Sequence, residues 1–88
     1  MGMTFTVTWS GAAVLELGRI ATALAAPGDA DREAVWMGSI LRRYPFAMGE
    51  SRFGSDRLWY ADTLGVWYRI DDAALTVAIL TVGPARRR

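Results

Sequence analysis

The sequence predicts an α+β domain in which a pair of helices covers one face of a single, antiparallel-type sheet. Three short runs rich in β-branched and aromatic residues follow one another near the C-terminus, at 57–62, 66–71 and 74–82. Only a few residues separate them, with Gly65 in the first break and Asp72 in the second. Runs of this length and composition predict an antiparallel meander. An alternating strand and two helical patterns precede it, which gives the order β-α-α-β-β-β.

The N-terminal strand is predicted by the alternation of residue types between Thr4 and Trp9. Phe5, Val7 and Trp9 share one face, and threonines share the other. This pattern is typical of a half-buried strand. Ser10 follows as a helix N-cap, because its hydroxyl can accept a hydrogen bond from a free backbone N–H of the first turn.

Two helices are expected between this strand and the meander. The first covers 11–25 and ends at Pro27-Gly28. The second covers 30–44, with Asp29 as its N-cap and Pro45 as its stop. Each carries an apolar stripe at helical spacing, so we expect an antiparallel hairpin lying on one face of the sheet.

Two segments of the C-terminal half have further expectations. The run 74–82 is apolar on both alternations, which predicts a central strand covered on both faces. The segment 46–56 contains Gly49 and Gly54 and is expected to be a loop.

Length and composition predict one domain, 1–88, that uses no metal and no cofactor. A chain of 88 residues has no room for a second core, and 52% hydrophobic content argues against disorder. Cysteine and histidine are both absent, which excludes disulfides and thiolate metal sites and removes the commonest general base. Asp71 and Asp72 lie at a turn and are expected to be turn residues, not metal ligands. No apolar stretch is long enough to span a membrane, so we expect a cytoplasmic protein.

The basic residues are all arginine and are concentrated toward the C-terminus. There are ten of them, and the last three form the run 86–88. A basic C-terminal half can indicate a nucleic-acid or acidic partner. Coding bias and a solvated tail explain the same composition without any partner.

A patch of arginine and tryptophan on the sheet is the candidate binding surface. Arg57 and Trp59 point to one face of their predicted strand. Trp67 and Arg69 do the same on the next strand, and Arg52 lies in the loop before them. In the simplest register the four strand residues share one face, where they could stack bases and hold phosphates or anchor a partner protein. Cross-strand packing of the tryptophans under the arginines explains the pattern without a ligand.

Four short motifs stand in the order of these elements along the chain. They are Val7-Thr8-Trp9-Ser10, Tyr44-Pro45 with Gly49-Glu50-Ser51-Arg52, Gly65-Val66-Trp67-Tyr68-Arg69-Ile70, and Thr81-Val82-Gly83. Together they resemble the RelE/ParE family, the toxins of type II toxin–antitoxin systems. The resemblance covers nearly the whole chain and implies this fold, together with a cognate antitoxin as partner.

The resemblance also implies candidate catalytic residues. Members of the RelE branch are ribosome-dependent mRNA interferases with a cluster of basic residues on the sheet. Arg69, on the predicted strand 66–71, matches the arginine that the family has on this strand. Arg57 is the only cation on the preceding strand, where the family has lysines. Arg86 lies one residue beyond the position of a further arginine, which Ala85 occupies, and the family's C-terminal tyrosine has no counterpart.

Two branches of the family therefore suggest different activities. The ParE branch lacks the catalytic set and inhibits DNA gyrase by binding. Because most of the basic set is missing here, we expect a toxin that acts by binding a macromolecular target and is neutralised by an antitoxin. The alternatives are an mRNA interferase with a reworked basic site at Arg69, Arg57 and Arg86, and an inactive orphan that serves as a binding module.

Overall fold

The computed structural model describes residues 3–23 and 27–85 of the chain. Its elements are β1 (Thr6–Trp9), α1 (Gly11–Ala23), α2 (Pro27–Leu41), β2 (Glu50–Ser51), β3 (Asp56–Tyr60), β4 (Leu64–Asp71) and β5 (Thr76–Pro84). The five strands form one sheet in the order β1-β5-β4-β3-β2, and both helices lie on one of its faces. The predicted α+β class and the helical hairpin are confirmed. We call the sheet face opposite the helices the open face.

The sheet is mixed, whereas an antiparallel type was expected. β1 pairs in parallel with β5, from Thr6 opposite Thr76 to Trp9 opposite Ile79, and the other strand pairs are antiparallel. The last strand of the meander, β5, therefore lies beside β1, the first strand of the chain. Local patterns in the sequence predict which residues share a face of β1, but they do not predict which strand pairs with β1. The parallel pairing was therefore not predicted.

The helix boundaries differ from the predicted ones. Pro27 begins α2 instead of ending α1, because a proline suits a first helical turn, where its missing N–H has no acceptor. Asp29 is therefore inside the helix, where it pairs with Arg32, and the prediction of an N-cap there is wrong. α2 ends at Leu41, three residues before the predicted end. The predicted end of the first helix, at Ala25, lies outside the described residues.

Ser10 caps α1 as predicted and also joins it to the sheet. Its Oγ accepts a hydrogen bond from the N–H of Ala13 at 3.0 Å and donates one to the carbonyl of Leu80 at 2.7 Å. Leu80 is the extra residue of a β-bulge, since Trp67 lies opposite Thr81 while its neighbour Tyr68 lies opposite Ile79. The cap hydroxyl thus satisfies the carbonyl of the bulged residue.

The bulge changes which residues of β5 are buried. It turns Val82 to the same face as Val77 and Ile79, and all three are buried against the helices. Ala78 and Leu80 are only half-buried. The prediction of a strand covered on both faces is therefore wrong, because the helices cover one face only.

The predicted loop 46–56 contains β2, a two-residue edge strand that pairs with β3. Gly49, which precedes β2, has a φ of 63°. A Cβ at this position would lie 2.3 Å from the carbonyl oxygen of Leu58. The close approach of the two backbones therefore requires glycine.

The hairpin between β3 and β4 is held by a side chain of α2. The carboxylate Oε2 of Glu33 accepts hydrogen bonds from the N–H groups of Thr63 and Leu64, at 2.7 and 2.6 Å. Beside it, Trp36 packs on Trp59 with ring centroids 5.6 Å apart. The helix layer thus fixes the position of the strands that carry the candidate site.

Candidate interaction surface on the open face of the sheet

The register of β3 and β4 divides the predicted patch of arginine and tryptophan between the two faces. Directly paired residues point to the same face. Arg57 lies opposite Tyr68, and Trp59 lies opposite Val66, on the helix side. Trp67 and Arg69 lie on the open face. The prediction of one shared patch is wrong, because a register offset of one residue reverses the face of every side chain.

Arg57 anchors a loop on the helix side. Its Nε donates to the carbonyl of Met48 at 2.9 Å, and its Nη2 donates to the carbonyl of Gly49 at 3.2 Å. The buried hydroxyl of Tyr68 lies 2.8 Å from the carbonyl oxygen of Pro45 and 3.0 Å from that of Met48. Two neighbouring side chains thus hold the segment that leads to β2, and burial raises the pKa of the Tyr68 phenol.

Trp59 lies in the core. It is 9% exposed and packs against Trp36 of α2. The structure thus places Trp59 among core residues, while its predicted contact with a partner or RNA remains a prediction.

The open face instead contains a buried carboxylate, Asp56, that binds both Arg69 and Trp67. Asp56 is 4% exposed and lies directly opposite Arg69. Arg69 donates from Nε to Oδ1 at 2.7 Å and from Nη2 to Oδ2 at 3.2 Å. The indole Nε1–H of Trp67 donates to Oδ2 at 2.9 Å. One carboxylate therefore fixes the orientation of the arginine and of the tryptophan.

These hydrogen bonds keep the pair ionised. The hydrogen bonds from Arg69 and then from Trp67 lower the pKa of Asp56, because they stabilise its charged form more than burial disfavours it. The same hydrogen bond to Asp56 raises the pKa of Arg69. Both groups are charged at neutral pH, and their charges cancel.

Aromatic side chains surround this ion pair. Phe53 packs against Trp67 with ring centroids 5.8 Å apart. Tyr60 lies over Gly65, where a Cβ would come within 2.5 Å of its ring. Leu58, Tyr60 and Trp67 line a shallow cavity of about 390 Å³ that extends to β5. The open face therefore offers aromatic and apolar contact area beside a neutralised arginine.

The remaining predicted cations are Arg52 and Arg86. Arg52 lies at the β2 edge, where its Nη2 is 3.7 Å from Oε1 of Glu50 and both side chains are exposed. Arg86 lies outside the described residues. The structure thus brings together Trp67 and Arg69, places Arg57 and Trp59 on the other face, and adds Asp56, which the sequence did not single out. The signal for Asp56 is its cross-strand position opposite an arginine, which is visible only in the correct register.

A second exposed surface runs along the free edge of β1. Two adjoining cavities of about 540 and 400 Å³ share Trp9, Ala34 and Val35, and the smaller one also contacts Val14. We call this surface the edge groove. Val35 is 74% exposed, and the smaller cavity is lined mostly by apolar residues, whereas the larger one also contacts Thr4, Ser39 and Arg42. An apolar surface of this kind is typical of a protein-binding site.

The described residues 3–23 and 27–85 contain no cluster of three or more potential metal ligands. Within the same residues, no helix has the length and apolar character that a membrane crossing requires.

A scan against protein-family models finds no match, and a search of curated proteins finds none either. A search of solved structures does find similar folds. The toxin–antitoxin complex RelBE2 from Mycobacterium tuberculosis contains a chain with a TM-score of 0.76 and 24% identity, over 93% of this chain and 92% of that one. A chain of the chromosomal ParDE system of P. aeruginosa gives 0.71 and 16%, over 94% and 98%. The isolated E. coli RelE toxin gives 0.67 and 14%, over 96% and 87%.

These likenesses define the class of fold. An α+β sheet with a helical hairpin on one face is shared over nearly the full length of each compared chain. The chain therefore has the fold of the RelE and ParE toxins, as its motifs predict.

Proposed function

We propose that this chain is the cytoplasmic toxin of a type II toxin–antitoxin pair and that it inhibits growth by binding a macromolecular target. The fold supports the first part, since solved neighbours include RelE and ParE proteins in complex with their antitoxins or alone. The observation that carries the second part is the pairing of Arg69 with Asp56. This pairing places the only arginine of β4 in an ion pair on the open face, which we propose as the surface that binds the target.

RNA cleavage requires a different arrangement of charge. A nucleophilic 2′-OH must lose its proton, and cations must stabilise the negative charge that develops on the phosphate. Arginine is a poor general base because it stays protonated. Arg57, the second predicted cation, bonds to carbonyls on the opposite side of the sheet. Arg69 and Arg57 therefore do not converge on one phosphate, which favours binding over catalysis.

We further propose that the edge groove receives the antitoxin. The N–H groups of Thr6 and Ser10 bond to β5, so the N–H and C=O of Val7, at the alternate position, point to the free edge of the sheet. A free edge beside an apolar groove suits a segment that combines strand pairing with apolar anchors. The protein encoded beside this chain is the candidate partner.

Inducible expression in bacteria tests the toxin activity. Incorporation of labelled amino acid and labelled thymidine is followed over the first minutes, for the wild type and for Arg69→Gln. We expect growth to stop, with thymidine incorporation falling first if gyrase is the target. An early loss of amino-acid incorporation that Arg69→Gln abolishes would instead support the mRNA interferase. Undisturbed growth with soluble protein present would contradict both toxin activities.

Co-expression with the adjacent gene tests the groove. Val35→Asp puts a charge into the groove, so we expect it to prevent the partner from restoring growth. Leu15→Asp is the matched control, because Leu15 is 67% exposed on α1 but does not line the groove. Equal effects of the two variants would contradict the proposed surface.

A further inference from the structure

Among the described residues, Asp56 is the charged side chain that is buried. Its position affects which target the open face can bind. Its two oxygens receive three hydrogen bonds, two from Arg69 and one from Trp67. A buried carboxylate of this kind is costly unless it is fully paired. Its partners here lie on the face that we propose for target binding.

The Nε–Nη2 edge of an arginine is one of the edges through which a guanidinium binds two oxygens of a phosphate at once. In Arg69 this edge is occupied by the two oxygens of Asp56. The carboxylate is tethered directly across the sheet, so its effective concentration exceeds that of any free anion. The Arg69 side chain is 58% exposed, and a phosphate that approached its Nη1–Nη2 end would still lie near the negative charge of Asp56.

Among residues 3–23 and 27–85, the rest of the open face adds little attraction for phosphate. Arg52 lies next to Glu50, and Asp71 is exposed two residues beyond Arg69 on the same face. The aromatic rings of Trp67 and Phe53 can stack on bases. Stacking without phosphate contacts, however, lacks the electrostatic term that dominates nucleic-acid affinity.

We propose that Asp56 is a specificity-determining residue that excludes nucleic acid from the open face, because it occupies one phosphate-binding edge of Arg69 and places a negative charge beside the other. This inference rests on the proposed function, because it concerns which target the open face accepts. Removal of the Asp56 charge frees Arg69 and converts the face into an RNA-binding surface. The aromatic rings already beside it then serve as stacking platforms.

Binding of a short, fluorescein-labelled oligoadenylate to the full chain, followed by anisotropy over a series of KCl concentrations, tests this. We expect Asp56→Asn to bind about tenfold more tightly than the wild type at low salt. The slope of log K against log salt should become more negative by about 0.7, because one new phosphate contact forms. Adding Arg69→Gln to Asp56→Asn returns the affinity to that of the wild type.

Glu50→Gln is the matched control. It makes the same change in net charge on the same face of the sheet, but Glu50 is exposed and holds Arg52 only loosely, at 3.7 Å. We expect its RNA affinity to stay within about twofold of the wild type, since an exposed pair leaves its arginine available already. An increase equal to that of Asp56→Asn would show that net charge alone sets the affinity and would overturn the inference.

If Asp56→Asn does not fold, a variant that retains Asp56 and changes only Arg69 still tests the inference. Arg69→Gln alone leaves the Asp56 charge uncompensated, so the readout is the salt dependence, which counts phosphate contacts. We expect the slope of log K against log salt to stay at the wild-type value, because Asp56 already occupies the arginine. A slope that is shallower by about 0.7 would mean that Arg69 contacts phosphate in the wild type and would overturn the inference. RNA binding in vitro does not depend on toxicity, so a harmless chain with the expected affinities would contradict the proposed function and still support the role of Asp56.

Discussion

The open face and the edge groove are both exposed, but they differ in whether their side chains have partners within the chain. On the open face, Asp56 binds Arg69 and Trp67, and Tyr60 covers Gly65. In the edge groove, Val35 is exposed beside an apolar cavity. The open face is thus held in one arrangement by the chain itself. The groove gains stability only when another surface covers its apolar area.

This difference suggests two roles. A surface that is fixed by internal hydrogen bonds loses little entropy on binding and can select its target by shape and charge. A groove with uncovered apolar side chains favours a partner that stays bound. The toxin–antitoxin proposal assigns the target to the first surface and the antitoxin to the second, and the following variants test the contrast between them.

The largest expected effect is on the helix side of the sheet, away from both surfaces. Tyr68 is fully buried, and its hydroxyl contacts the loop that leads to β2. Tyr68→Ala should lower the free energy of unfolding by about 3–5 kcal/mol, because it leaves a cavity and removes the hydroxyl. Tyr60→Ala on the open face is the control and should cost less than about 1 kcal/mol, since Tyr60 is 58% exposed. Urea unfolding measures both, and similar losses would contradict the assignment of faces.

A smaller loss is expected from Gly49→Ala, at the edge of the open face. The new Cβ would meet the carbonyl of Leu58, and the φ of 63° disfavours any side chain. We expect a loss of about 2–4 kcal/mol in the free energy of unfolding. Gly54→Ala has a φ of 57° but open space around its Cβ, so it should cost only about 1–2 kcal/mol. Equal losses would show that β2 does not approach β3 closely.

Acid should weaken the open face specifically. The pKa of Asp56 is lower in the folded chain than in the unfolded chain, so its contribution is present above the unfolded value of about 4 and is lost as the pH falls through the folded value. Thermal unfolding between pH 7 and pH 2 should therefore show a loss of stability below about pH 4 that is smaller in Asp56→Asn. Parallel curves for the two proteins would contradict the hydrogen bonds to Asp56.

The smallest effect is expected at the β2 edge. Arg52 and Glu50 are exposed and 3.7 Å apart. Arg52→Gln should therefore change the free energy of unfolding by less than about 0.5 kcal/mol. A larger loss in urea unfolding would mean that this border pair is part of the ordered open face.

Local patterns in the sequence predict the elements and the faces that depend on one strand alone. The alternation of Phe5, Val7 and Trp9 places these residues on the helix side, and Ser10 caps α1. Both features depend on residues that are close in sequence. The α+β class follows from the same short-range signals and from the family motifs.

The register between strands could not be predicted in this way. The predicted patch needs a register in which Arg57 lies on the face of Trp67 and Arg69, but the structure pairs Arg57 with Tyr68 and Arg69 with Asp56. A turn that differs by one residue produces this offset, and the side-chain period of two then moves half of the patch to the other face. The bulge at Leu80 was hidden for a similar reason, since it lies in a continuous apolar run.

The division of the patch is the central claim, and double-mutant cycles in urea unfolding test it most directly. One cycle combines Asp56→Asn with Arg69→Gln, and the other combines Arg57→Gln with Trp67→Phe. We expect the first pair to be non-additive, because the two groups share hydrogen bonds, and the second pair to be additive, because the residues lie on opposite faces. Coupling between Arg57 and Trp67, with additivity between Asp56 and Arg69, would contradict the register and restore the single patch of arginine and tryptophan.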